Sequence, residues 1–337
     1  MQALLIDGHS LVKRCIMATA LDDLKAGETF TGGVYGTLNI LRAFLSHIDG
    51  YGIGPIWAFF DGGIPKFRRK LLPDYKESRA EKKQMLDEET KEKAFTQITL
   101  ARDMLHMLGV RTVAFAFTEA DDAVAGAVRV CMDLDVEPVV MSGDHDLWQT
   151  VQAGAKVWDL NKKRFVDHSN FEELAGVPAS VYIVYRALTG DSSDGIKGCV
   201  GCGPKRAIAL ITEAMEHDDA FAKMPPKQQL VRLLAFVKSR TKARKYEANF
   251  VANYTYLHDV VEAIDLKESF AKAFSSGGPK LLRKWCLTGV PYVQYVEFVR
   301  FCKKLQFNRV LGDPHKFVAP FERCTRRAAS SGIYQTA

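Results

Sequence analysis

Among 337 residues there is no run of about 18 uninterrupted apolar side chains, the length that a membrane-crossing helix needs. The opening segment, MQALLIDGHS, has no basic flank and reaches Asp7 after a short aliphatic run, so no export signal is read there. Charge of one sign does not dominate: the net charge is +6 at pH 7, too mild to mark a polyanion binder by itself. Cysteine is sparse and odd in number, seven residues at positions 15, 131, 199, 202, 286, 302 and 324. That argues against a disulfide scaffold and fits a reducing cytoplasm. What is present is ordinary for a core-forming chain, 47% hydrophobic and 26% charged, with length for two domains or one large one.

Short apolar runs alternate with helix-like stretches through the first half. Ala3–Ile6, Ile56–Phe60, Val110–Phe117 and Pro138–Met141 read as buried strands, with 156–160 as a weaker fifth. Helical patterns over 33–48, 96–108 and 120–133 lie between them, which predicts an α/β fold with a mostly parallel central sheet covered on both faces. Residues 62–95 form a long, polar, partly helical insertion rich in basic residues, among them Lys66, Arg68, Arg69, Lys82 and Lys83; insertions of this kind are often lids or binding loops. From about residue 176 the pattern is mainly helical, with a second basic group at Lys238, Arg240, Lys242, Arg244 and Lys245. The division expected is 1–175 for the α/β core, 176–310 for a helical region and 311–337 for an extension whose basic, small-residue end from Arg323 is loose.

Carboxylates follow the strands. Asp7, Asp61 and Asp144 each sit at or just past an apolar run, Glu119, Asp121 and Asp122 open a helical pattern, Asp146 stands two beyond Asp144, and Asp191 and Asp194 follow in Gly190–Gly195. A single strand-end aspartate is most often a cap or turn residue. Several at the carboxyl edge of a parallel sheet point instead to a shared pocket. So many like charges cannot stay ionised together without cations, and Mg²⁺ or Mn²⁺, hard ions that take oxygen ligands, suit the set. Cys199-Val200-Gly201-Cys202 has zinc-like spacing but no second ligand pair. The glycine-rich turn 195–203 leads into a basic helix, an arrangement suited to phosphate, and it is not a P-loop.

Taken together, Leu5-Ile6-Asp7-Gly8-His9, Phe59-Phe60-Asp61-Gly62, Tyr75-Lys76-Glu77-Ser78-Arg79, Glu119-Ala120-Asp121-Asp122, Ser142 to Leu147, Gly190 to Asp194 and the glycine-rich turn Gly198 to Ala207 resemble the flap endonuclease/5′-nuclease superfamily over about residues 1–310. The likeness extends to phage and bacterial 5′–3′ exonucleases and to the 5′-nuclease domain of bacterial DNA polymerase I. It implies a first metal cluster of Asp7, Asp61, Glu119 and Asp121 and a second of Asp144, Asp146, Asp191 and Asp194, with Asp122 acting nearby and at least two Mg²⁺ or Mn²⁺ ions. It places Arg14, Tyr75, Lys76 and Arg79 about the scissile phosphate, Tyr75 stacking a base. The insertion 62–95 becomes a helical arch whose Lys66, Arg68, Arg69, Lys82 and Lys83 meet DNA. A helix–three-turn–helix motif over about 186–215 would hold duplex through Gly198, Gly201, Gly203, Lys205 and Arg206, with a K⁺ ion at that turn.

The function so implied is a structure-specific 5′–3′ exonuclease and 5′-flap endonuclease acting on single/double-strand junctions, flaps and 5′ ends, with RNA–DNA hybrids and primer removal in replication within its range. A cytoplasmic monomer working in trans with a polymerase, away from membranes, is the corresponding expectation. This sequence departs from the family at Gly195, where asparagine is common, and at His145, where lysine is frequent; no carboxylate is lost. Two other readings stay open at this point: a catalytically inactive nucleic-acid-binding protein on the same scaffold, and a PIN-type RNase. A dehalogenase-type phosphatase fits less well, because His9 stands where its second aspartate would be.

Overall fold

The computed structural model describes residues 1–18, 24–240, 244–273 and 278–334. The chain opens with β1 (Gln2–Asp7), α1 (Gly8–Ile16), a small hairpin of β2 (Lys25–Ala26) and β3 (Thr29–Phe30), and α2 (Gly32–His47). β4 (Ile53–Phe60) leads into three helices, α3 (Lys66–Leu71), α4 (Glu77–Met85) and α5 (Glu88–Met107), before β5 (Arg111–Ala114), α6 (Ala120–Asp133) and β6 (Glu137–Ser142). After β7 (Lys156–Asp159) and β8 (Arg164–Val166) come α7 (Phe171–Ala175), α8 (Tyr182–Thr189), α9 (Pro204–His217) and α10 (Pro226–Ser239). The remainder is helical: α11 (Lys245–Ala252), α12 (Tyr254–Ile264), α13 (Leu266–Ala273), α14 (Gly278–Leu287), α15 (Tyr295–Lys304), α16 (Asn308–Gly312) and α17 (Pro314–Ser330).

The six-stranded sheet has the order β5-β4-β1-β6-β7-β8, parallel except for the antiparallel β7–β8 pair. β1 is central, pairing with β4 on one side (Leu5 opposite Trp57) and β6 on the other (Leu5 opposite Val140). Successive strand side chains point to opposite faces, and both faces are buried. Ala3, Leu5, Trp57, Phe59 and Val140 join the core under α6, α8 and the following helices. Leu4, Ile6, Ala58, Phe60 and Met141 join a second core under α1, α2 and α5. Double coverage explains why β1 and β4 read as unbroken apolar runs.

Three features differ from the sequence reading. β5 stops at Ala114 and Phe117 is 57% exposed, so the run to Phe117 is only half strand. α15 and α17 return to the second core, with Phe298, Phe317, Val318, Phe321 and Cys324 buried there, so the helices after residue 176 do not form one block. The segment from Arg323, expected to be loose, is helical to Ser330 and packs on β4 and α2. Arg326 is exposed and Arg323 and Arg327 are half-buried, while Phe317, Phe321, Cys324 and Ala328 mark an apolar helical face. Lys242 lies outside the described residues.

Candidate metal centre

Because β4, β1 and β6 are parallel neighbours, their carboxyl ends open on one edge, and the candidate residues collect there. Asp7 ends β1 and caps α1, its carboxylate accepting from the Ser10 amide (3.0 Å) and the Ser142 hydroxyl (3.1 Å). Asp61 follows β4 and accepts from the Ala120 amide (3.0 Å), with His9 Nε2 3.6 Å away. Glu119 is the N-cap of α6, and Asp121 and Asp122 occupy its first turn. Asp144 caps the 3-10 segment His145–Ala153 that holds Asp146. Asp191 and Asp194 lie in the turn after α8, tied by paired backbone bonds between Asp191 and Ile196 (2.8 Å each).

Electrostatics shows that these groups share one space. Burial pushes Asp7 up to about 7, with Asp61 and Asp144 adding repulsion against the opposing Ser10 hydrogen bond. Burial, then Asp144 and Asp7, hold Asp121 well above the ordinary aspartate value. Asp146 is raised by burial and by Asp144, against the pull of Arg186. Asp61 is burdened by burial too, yet His9, the Ala120 amide and Lys76 bring it below its usual value. The edge therefore carries excess negative charge that desolvation makes costly, the condition that a hard divalent ion relieves. Its candidate ligands are carboxylate oxygens, with the His9 imidazole beside Asp61, and a carboxylate donor set fits Mg²⁺ or Mn²⁺. Among the described residues no three His, Cys, Asp or Glu side chains already stand in an arrangement that closes around one ion.

Basic side chains thread this edge. Lys76, in left-handed backbone (φ 56°), pairs with Glu119 and lies 3.6 Å from Asp194. Burial opposes its charge, but Tyr75, Glu119 and Asp194 hold its pKa above the ordinary lysine value. Arg79 pairs with Asp194 (2.5 Å) and donates to the Ser193 carbonyl (2.8 Å) and hydroxyl (2.7 Å). Arg186 bridges Asp146 and Asp191, at 2.7 Å to each. Sequence reading missed Arg186; the available signal was one arginine in the otherwise apolar α8, five residues before Asp191. Ser142, which braces Asp7 and also accepts from the Asp144 amide (3.0 Å), was missed as well.

Several expected roles need correction. Arg68 does not meet solvent: it is 3% exposed, pairs with Glu119 and, through two nitrogens, with Asp122 (2.7 and 3.1 Å), and donates to the Ala263 carbonyl (2.8 Å). Asp122 is fully buried, and both its oxygens are already taken by Arg68, the Ser269 hydroxyl and the Glu119 amide. Tyr75 is no open stacking surface. It is buried, its hydroxyl 3.2 Å from both Glu119 and Asp194. Arg14 is exposed and reaches Asn161 (2.5 Å), which donates to the Gly143 carbonyl (2.7 Å) beside Asp144. Lys66 and Arg69 are exposed on α3. Lys82 and Lys83 lie in α4, but their side chains are outside the described residues.

The glycine-rich turn is built as its residues demand. Gly198 (φ +65°) packs so closely that a Cβ there would meet the Gly190 nitrogen at 2.6 Å, and Gly201 (φ +79°) also needs left-handed backbone. Gly203 caps α9 ahead of Pro204, while Lys205 and Arg206 are exposed on its first turn. Cys199 and Cys202 are buried, and Cys199 reaches the Tyr246 carbonyl at 3.6 Å. They fill the turn's interior.

A model of the 5′–3′ exonuclease, N-terminal resolvase-like domain matches residues 2–176, more than half the chain, and the chain belongs to that family. The 5′–3′ exonuclease of Mycoplasma pneumoniae is 29% identical over 227 residues, 65% of this chain and 75% of that protein. The thermostable DNA polymerase I of Thermus filiformis is 31% identical over 212 residues, 63% of this chain and 24% of the polymerase; the polymerase I of Deinococcus radiodurans is 30% identical over 209 residues, with 20% of its length covered. This chain thus spans about a fifth to a quarter of those polymerases. Among solved structures, the T5 5′-exonuclease with bound zinc aligns with a TM-score of 0.67 at 23% identity, over 85% of this chain and 97% of that one. A flap endonuclease from Methanococcus jannaschii aligns at 0.51 and 15% identity, over 98% and 93%. At these identities the likeness is one of fold. No helix among the described residues is long and apolar enough to cross a membrane.

Proposed function

We propose that this protein is a divalent-metal-dependent 5′ nuclease that hydrolyses phosphodiester bonds in DNA at 5′ ends, 5′ flaps and single/double-strand junctions. The carrying observation is the convergence of Asp7, Asp61, Asp121 and Asp144 on one sheet edge, where burial and mutual repulsion raise Asp7 and Asp121. These four, with Asp146, Asp191, Asp194 and Glu119, are the residues that would hold at least two Mg²⁺ or Mn²⁺ ions. Bound there, such ions supply an activated water and neutralise charge on the phosphate and its leaving oxygen.

The chain's own groups have distinct tasks. Lys76 and Arg79 rest on Glu119 and Asp194, where an arriving phosphate can compete for their N–H donors. Arg186 fixes Asp146 and Asp191 at a set spacing. Arg68 locks the base of the arch to α6 through Asp122 and Glu119. The Gly198–Gly203 turn, with Lys205 and Arg206, would hold duplex phosphates, and K⁺ at its carbonyls, without reading bases. Substrate choice then follows shape, and RNA–DNA hybrids and a separate polymerase as collaborator come within the same proposal.

Product mapping on labelled 5′-flap, nicked and blunt DNA, with Mg²⁺ and with a chelator, tests this reading. Junction-proximal cuts that need the metal are expected. Flap binding with no cleavage under any divalent ion would favour a non-catalytic binder.

A further inference from the structure

Beyond Ala114 the chain turns through Phe115, Ala116 and Phe117 before Thr118 and Glu119 open α6. Phe117 has φ +56°, a left-handed conformation that bulky side chains avoid. Its surroundings dictate that conformation. The Phe117 amide donates to the Gly62 carbonyl (3.0 Å), and the Gly62 amide to the Thr118 carbonyl (2.9 Å). Two residues on, the Ala120 amide donates to Asp61 Oδ1 (3.0 Å). A Cβ on Gly62 would stand 1.9 Å from the Phe115 carbonyl oxygen, so glycine is required for the two segments to approach this closely. The bonds that place Asp61 thus also force the backbone of Phe117.

Glycine would meet that backbone demand without strain, and phenylalanine does not offset it by packing, since Phe117 is 57% exposed. Lys66, the first residue of α3, holds its ammonium 5.0 Å from the ring centroid. An exposed ring with a cation beside it, two residues before Glu119 and bonded to the Asp61 segment, has the chemistry to receive a base and its phosphate. At the base of the arch, Tyr75 is buried and Phe67 is half-buried between Arg68 and Lys272; Phe95 is 71% exposed but lies in α5, away in sequence from the Asp61 and Glu119 segments.

We propose that Phe117, assisted by Lys66, is the platform on which a nucleobase beside the scissile phosphate stacks, making it a specificity-determining residue of the site. This rests on the nuclease reading above. The stacking face accepts any base, so Phe117 acts on where the strand is seated rather than on sequence.

The test uses flap DNA carrying 2-aminopurine at single positions on either side of the junction, bound to the full chain in EDTA. The intact protein is expected to change the emission of one position next to the junction. Phe117→Gly, which suits the left-handed backbone, should lose that change and weaken flap binding roughly tenfold or more, with a melting temperature no lower than that of the parent. Phe117→Asn, also tolerant of that backbone, should behave the same way, and Phe117→Trp should keep the signal. An unchanged signal and affinity in Phe117→Gly would overturn this proposal while leaving the nuclease reading intact. Failure of the parent protein to bind flap DNA at all would overturn both.

Discussion

Lys76 combines a left-handed backbone with a side chain set between Glu119 and Asp194. Such a conformation costs a non-glycine residue about 1–3 kcal/mol, and the Lys76 amide is fixed by the Asp194 carbonyl at 2.9 Å. A lysine held in place by both its backbone and its ion pairs has little freedom to act as a general tether. Replacing Lys76 with alanine should therefore lower the single-turnover cleavage rate about 10²–10³-fold, while flap affinity in EDTA changes only a few-fold. Equal losses in rate and affinity would make Lys76 a DNA tether instead. The sequence marks Lys76 and Arg79 by motif; Arg186 stands out only as one arginine in an otherwise mostly apolar helix, and its bridge from Asp191 to Asp146 on another loop has no local pattern.

At the scale of elements, the arch is secured by Arg68. Charge clustering grouped Arg68 with Lys66 and Arg69 as a DNA contact, yet α3 turns it inward while its two neighbours stay in solvent. Local charge cannot reveal this, because burial depends on Asp122 and Ser269, which come from α6 and α13. Cutting one side of a buried ion pair leaves the partner's charge stranded, at about 3–5 kcal/mol. Urea unfolding of Arg68→Met should show a loss of that order, much of it recovered when Asp122→Leu is added. A variant as stable as the parent, with weaker DNA binding, would return Arg68 to the surface role that its neighbours suggest. The glycines of the 198–203 turn were legible for the opposite reason, since left-handed backbone at Gly198 and Gly201 is a local demand.

Across the whole molecule, the sequence exposed the sheet edge because β1, β4 and β6 are apolar on both faces and end near carboxylates, whereas β8, three residues long, and the two-residue hairpin strands leave no period to read. The C-terminal helix was obscured by its basic surface; its closure of the second core appears only when Phe317, Phe321 and Cys324 are seen beneath α2 and β4.

The same edge predicts a pH response. Asp7, raised to about 7, makes the folded chain hold more protons than the unfolded chain between about pH 4 and 7 and so removes stability as pH rises through that window; the raised Asp121 and Asp146 act in the same direction. Asp61 and Asp191, both lowered, act in the opposite sense. A divalent ion must displace the protons on the raised groups, so its binding strengthens as pH increases. Calorimetric titration of the full chain with Mg²⁺ near about pH 6.5, in two buffers of different ionisation enthalpy, measures ion and proton together. Binding of at least two ions with net proton release is expected, both diminished in Asp121→Asn. No binding heat, or binding without proton release that is unchanged in that variant, would contradict it.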